Sequence, residues 1–282
     1  MIGPKQEQSL AGDGTAIQAL GDVRIEKHYH GLQVSEVKEL TALFLEKQLP
    51  ALRAEAVQAM RENTQEFLEH VVARLAATRA VTQEAFARPD AQVCFNEALK
   101  ASAEKGDQID LEMLAEMVIG RLESDENQLL KLIYEDAVKI LPRLTGPHIA
   151  FLAYLVWMTR VRHTAFKIVA EIEARASRVL SLCSDGISIS DVNKEYLVSL
   201  GVITINHVSD ADNIFGTMKS NYPFLADSRE ALAVEAPALG TLIDGWGKNS
   251  MPLCHLNGSG KLIGLLALQK IYGKLDLTIW IN

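Results

Sequence analysis

Several stretches carry residue types that could do chemistry. Asn257-Gly-Ser-Gly-Lys261 has the glycines and lysine of a phosphate-cradling loop. Such a loop needs glycine so that backbone amides can close on phosphate oxygens, lysine for the outer phosphates, and a following Ser or Thr for magnesium. Here His255 stands where the first glycine belongs and Leu262 where the hydroxyl belongs. No strand of the right kind is read before it, so the stretch is taken as a turn feeding a helix. Cys254-His255 sets a nucleophile beside a base, but such pairs are made in space, and sequence neighbours point in different directions. Asp210-Ala-Asp212-Asn213 has the opening of a calcium loop, with Ile214 at a ligand position and Asn221 in place of the closing glutamate. Asp107, Asp110, Glu112 and Glu116 are the carboxylates favoured at a helix start. His28 and His30 alternate and would share a face, with no third ligand nearby. No histidine pair has metalloprotease spacing and no serine sits in a nucleophile elbow. No catalytic, cofactor-binding or metal residue is assigned, and the reading leans away from an enzyme.

The elements that would position these groups are mostly helical. Val37, Leu40, Phe44, Leu49, Leu52, Ala56, Met60, Phe67, Val71 and Leu75 recur at spacings mostly of three and four, one face of a helix. Pro50 removes an amide donor, which predicts a bend, or two helices over 34–48 and 50–79. That face packs on its own domain or forms a coiled-coil seam. Ahead of it, Ile17/Ala19 and Val23/Ile25 alternate around Gly21-Asp22, a small β-tag that is too short to stand alone. Helices follow over 91–104, 111–122 (capped by Asp110), 125–141 (capped by Ser124) and 147 to about 182. Thr82 is read as the cap of a turn or short helix ending before Pro89. Beyond 183 comes a helix over 191–200 ended by Gly201, then the strand Val202–Val208. A loop-rich stretch over 209–226 follows, then a capping box at Asp227–Glu230 and a helix near 260–271. Last comes a strand, Leu275–Ile281, expected to pair with the first. The fold expected is mainly α. It comprises a flexible tail and β-tag (1–33), a long amphipathic helix bent near Pro50 (34–80), a helical body (81–182) and a small α/β part (183–282). Tyr222, Phe224 and Trp246 are read as buried anchors, or else as a patch for a partner.

Composition narrows the partners. The 282 residues are 48% hydrophobic and 23% charged, an ordinary globular balance. The net charge of −8 repels a phosphate backbone. Residues 183–282 carry seven Lys/Arg against ten Asp/Glu, which speaks against DNA binding there. Cys94, Cys183 and Cys254 are widely spaced, as expected of core thiols in a reducing cytoplasm. The first fourteen residues lack the apolar run of a signal peptide, and the most apolar stretch, Ile149–Met158, is too short for a membrane span.

The run GDGTAIQALGDVRIEKHYHGLQVSEVKEL resembles the head of an uncharacterised family of bacterial proteins, with Gly31, Leu32, Glu36 and Val37 in its helix-start pattern. The middle, from Glu104 to Leu155, is similar to that family's helical body, and YLVSLGVI and LNGSGKLIG to its ending. More distantly, the layout is like that of abortive-infection alpha-type proteins. The resemblance implies a bacterial cytosolic protein linked to mobile elements or phage defence, and it carries over no catalytic residue. The function expected is a non-enzymatic protein that self-associates through the β-tag and long helix, or binds a protein partner, without cofactor. A DNA-associated regulator and an unrecognised hydrolase or nuclease are the alternatives.

Overall fold

The computed structural model describes residues 49–78, 81, 83–124, 127–206 and 213–277. Two compact units divide the chain at Arg53/Ala54, and the account below concerns the second. The β-tag, His28, His30, the segment 34–48, Thr82, Asp210 and Asp212 lie outside the described residues.

Twelve α-helices and one two-stranded sheet make up the described residues, so the fold is mainly α. The helices are α1 (Leu49–Ala77), α2 (Gln83–Ala87), α3 (Pro89–Lys105), α4 (Leu111–Glu123), α5 (Gln128–Ile140) and α6 (Gly146–Arg160). They continue with α7 (Val169–Cys183), α8 (Asp191–Ser199), α9 (Ile214–Asn221), α10 (Arg229–Glu235), α11 (Pro237–Lys248) and α12 (Gly258–Tyr272). Strand β1 (Ile203–Ile205) pairs antiparallel with β2 (Cys254–Leu256), Thr204 facing His255.

The core is built on α6. From Ala150 to Met158 every side chain is buried, so this helix has no solvated face and must be surrounded. Helix α12 lies along it, apolar and buried from Leu262 to Leu268. Their close approach depends on Gly264: a Cβ there would sit 2.6 Å from the Leu152 carbonyl oxygen and from a Val156 methyl. The C-terminal half of α1 closes one side, with Phe67 and Val71 buried and Leu75 packed against the core. Its N-terminal half differs: residues 54–62 are all exposed.

The helix starts follow side-chain chemistry. Asp110 accepts from the Met113 amide at 2.9 Å and Ser190 from Asn193 at 3.3 Å, as the caps predict. Ser228 caps α10, accepting from Ala231 at 3.2 Å. Thr145 and His148 form a reciprocal cap at the start of α6. The histidine Nδ1 accepts from the Thr145 amide at 3.1 Å, and its Nε2 pairs with Asn193 Oδ1 at 3.0 Å.

Several boundaries correct the sequence reading. Ser124 does not start the fifth helix: its hydroxyl donates back to the Gly120 carbonyl, and Asn127 caps α5 through Leu130 at 3.0 Å. The helix read over 147–182 is two, because 161–168 leaves the helix between α6 and α7. The stretch 209–226, read as loop, contains α9. The short helix α10 ends at Glu235, and Pro237 opens α11, a helix not expected from the sequence, at a position where a missing amide costs nothing. Pro50 likewise falls in the first turn of α1. The strand partner also differs. Leu275–Leu277 form no strand, and β1 pairs with Cys254–Leu256 instead, the rest of 275–281 lying outside the described residues. Alternation is a weak signal over three residues, and CHL offered less of it than LDLTIWI.

Candidate functional site

The glycine-lysine stretch has a strand before it after all: β2 ends at Leu256 and α12 begins at Gly258. The strand–turn–helix order of a phosphate loop is therefore present, but the space is filled by the chain itself. A Cβ on Gly260 would stand 2.1 Å from the Val202 carbonyl oxygen, and one on Gly258 3.0 Å from an Ile133 methyl. Ser259 is buried, and Asn257 donates from its side chain to the Gly201 carbonyl at 3.0 Å. These glycines serve packing against β1 and α5.

Cys254 and His255 fall on opposite sides of β2, the thiol inward and the imidazole exposed. Burial pushes the Cys254 thiol up from its ordinary value, with the Lys194 ammonium opposing. The acidic group is dispersed among cations. Asp110 holds Lys270 at 2.7 Å, and Glu112 and Glu116 share Arg74 at 3.2 and 2.8 Å, while Asp107 is exposed. Among the described residues no group of three or more His, Cys, Asp or Glu could hold a metal. Tyr222 and Trp246 are buried and Phe224 is partly buried. Trp246 meets Tyr154 edge-on at 5.9 Å, so these aromatics act as anchors.

Three polar clusters join the helices, made by pairings that the sequence alone does not show. In the first, Arg74 from α1, Asp110, Glu112 and Glu116 from α4, and Lys270 and Lys274 from the end of α12 line a cleft of about 160 Å³. Its cations and carboxylates pair across helices, so it clasps three elements together.

In the second, Arg121 on α4 is 1% exposed. Its Nη2 donates to Asp90 at 2.5 Å and its Nε to Glu135 at 2.9 Å, joining α3, α4 and α5. Its Nη1 is buried with no hydrogen-bond partner among the described residues. Burial works to raise the Asp90 carboxyl, but hydrogen bonds from Arg88 and Arg121 outweigh it and hold the group well below the usual carboxylate range. The sequence did carry a signal here. Arg121 falls on the apolar stripe Leu114, Met117, Val118, where a charge must find partners.

In the third, His163 stacks between Phe166 at 4.3 Å and Tyr272 at 5.3 Å. Its Nε2 meets Tyr272 Oη at 2.9 Å, which also accepts from Trp157 Nε1 at 2.8 Å, and Arg175 lies 4.6 Å over the Tyr272 ring. Desolvation, with Arg175 adding, lowers the His163 imidazole from its ordinary value. Burial pushes the Tyr272 hydroxyl up to about 12, so it stays protonated at neutral pH. Partners spread over 109 and 115 residues of chain left no local pattern to find.

Elsewhere, Glu173 takes the place of an absent cap, accepting from the Ala238 and Leu239 amides at 2.9 and 3.1 Å at the start of α11. Lys194, 5% exposed, is held by Asp191 at 2.9 Å and the Asn249 carbonyl at 2.7 Å.

Fold and polar clusters together define a helical scaffold whose buried charges join helix to helix. A family model matches residues 31–233, and the chain belongs to that family, an uncharacterised one. No curated protein and no solved structure matches it. No helix among the described residues is long and apolar enough to cross a membrane.

Proposed function

We propose that this is a self-associating, non-enzymatic protein that assembles through α1 and the segment before it. The observation that supports this reading is the division of α1. Val57, Met60, Thr64, Phe67 and Val71 follow alternating spacings of three and four, the seam of a paired helix. Phe67 and Val71 are spent on the core, whereas Val57 and Met60 remain 41% and 43% exposed. A helix rooted at one end and bare at the other suits pairing with a second copy. Two half-exposed side chains are far too little for a stable dimer, which needs roughly 1,000 Å² or more of buried surface. The remainder must come from residues 1–48, where the alternating sequence at 15–29 is the candidate for pairing between copies.

Light scattering on the full chain tests this. A multimer is expected, and V57E/M60E should lower its mass toward one chain. A monomer at micromolar concentration sinks the proposal, and an unchanged mass after removal of residues 1–33 sinks the part given to the β-tag. On the resemblance of its overall layout alone, we place the assembly as a sensor or effector in bacterial phage defence. Equal phage plating on cells with and without the gene would remove that assignment.

A further inference from the structure

The segment 161–168 crosses from α6 to α7 with no regular structure, and Arg162, Thr164, Ala165, Lys167 and Ile168 are exposed. It is fastened in its first half through His163, whose backbone amide donates to Tyr222 Oη at 2.8 Å while its ring stacks on Phe166 and on Tyr272, and at its end through Glu171, whose carboxylate accepts from the Lys167 and Ile168 amides at 2.7 and 3.2 Å. We propose that this segment is an acid-released strap whose catch is the His163 ring, closed while the ring is neutral and opened when it takes a second proton.

Proton counting carries the argument. Trp157 Nε1 can only donate, and it donates to Tyr272 Oη. With a neutral ring, the tyrosine hydroxyl proton goes to His163 Nε2 at 2.9 Å, and all three groups are satisfied. A doubly protonated ring donates from both nitrogens. Tyr272 Oη must then accept twice, and its own proton loses its acceptor in a half-buried place. The charged and titratable groups facing the ring offer no relief. They are Arg175 from α7, which occupies the Tyr272 ring that His163 also stacks on, Tyr272 from α12, and Tyr222 from the turn after α9. None of them is an anion. The Phe166 face attracts an imidazolium and offsets part of this, but Phe166 belongs to the strap and leaves with it. Opening would bare the aromatic seam formed by Trp157 and Tyr272.

Hydrogen exchange of the full chain at pH 7.5 and 5.5, corrected for intrinsic rates, tests the strap. Protection of the 161–168 amides should fall on acidification, by up to about tenfold per pH unit once the ring titrates. His163→Phe keeps the stack and cannot titrate, and His163→Gln keeps an acceptor for Tyr272. Whichever folds, as judged by circular dichroism, should show protection independent of pH. Equal wild-type protection at the two pH values overturns the proposal, as does an acid-dependent loss that persists in the variants. Tyr222→Phe should lower protection at both pH values, and protection unchanged in that variant overturns the fastening on which the strap depends.

Discussion

Arg121 shows how much a single buried cation can organise. Its guanidinium reaches two carboxylates on two other helices while a third nitrogen has no hydrogen-bond partner among the described residues. Removing it would strand Glu135, which is 23% exposed and therefore partly rescued by water, while Asp90, 44% exposed, would keep Arg88 at 3.1 Å. Arg121→Ala should cost about 3 kcal/mol, the low end for breaking a buried pair, measurable as a lower urea midpoint. The pH dependence has a definite sign. The Asp90 carboxyl is depressed in the folded chain, so its contribution is present above its ordinary value near 3.8 and is lost as pH falls below that. The stability gap between wild type and Asp90→Asn should therefore be constant from pH 7 to about 5 and close below pH 4. A gap that stays constant to pH 3 would deny Asp90 this role.

At the scale of elements, α12 separates two explanations of one motif. If Asn257–Lys261 held phosphate, Lys261 would matter and the glycines would face ligand. The geometry instead presses Gly260 onto the Val202 carbonyl and Gly264 onto α6. Gly260→Ala should destabilise the protein by about 2–3 kcal/mol through overpacking. Lys261→Ala should shift the midpoint by less than about 0.5 kcal/mol. A destabilising Lys261→Ala with a silent Gly260→Ala would reverse the reading.

The same helix shows what a sequence exposes and what it hides. Periodicity and caps located most helices, because Asp110, Ser190 and Ser228 act on amides three residues away. Where two hydroxyl or amide residues competed, as Ser124 and Asn127 did, geometry chose the second by turning the serine back onto its own helix. The strand partner of β1 was hidden because each strand is only three residues long. The partners of Tyr272, Arg121 and Glu173 were hidden because they meet only after folding, although Arg121 on an apolar stripe marked the need for one.

On the scale of the whole molecule, α6 is a shared wall. Helix α12, from beyond residue 183, packs on α6 and on α5, so the two sequence regions share one continuous core. Self-association through α1 would then load a body that is already closed, and mutations such as V57E/M60E should change mass without changing the melting temperature by more than a few degrees.

The three cysteines give this core an internal clock. Cys183 is fully buried, Cys94 is 4% exposed and Cys254 is 6% exposed, one each on α7, α3 and β2. Burial pushes their thiols up, Cys94 to about 11 and Cys183 to about 12, so none reacts until its surroundings open. The rate at which each is alkylated under native conditions is therefore a direct count of local openings at three depths. Cys254, on the short sheet, should label first and Cys183 last, with Cys183 keeping pace with global unfolding in dilute urea. A Cys183 that labels as fast as Cys254 would mean that α7 leaves the wall of α6 far more often than its burial implies.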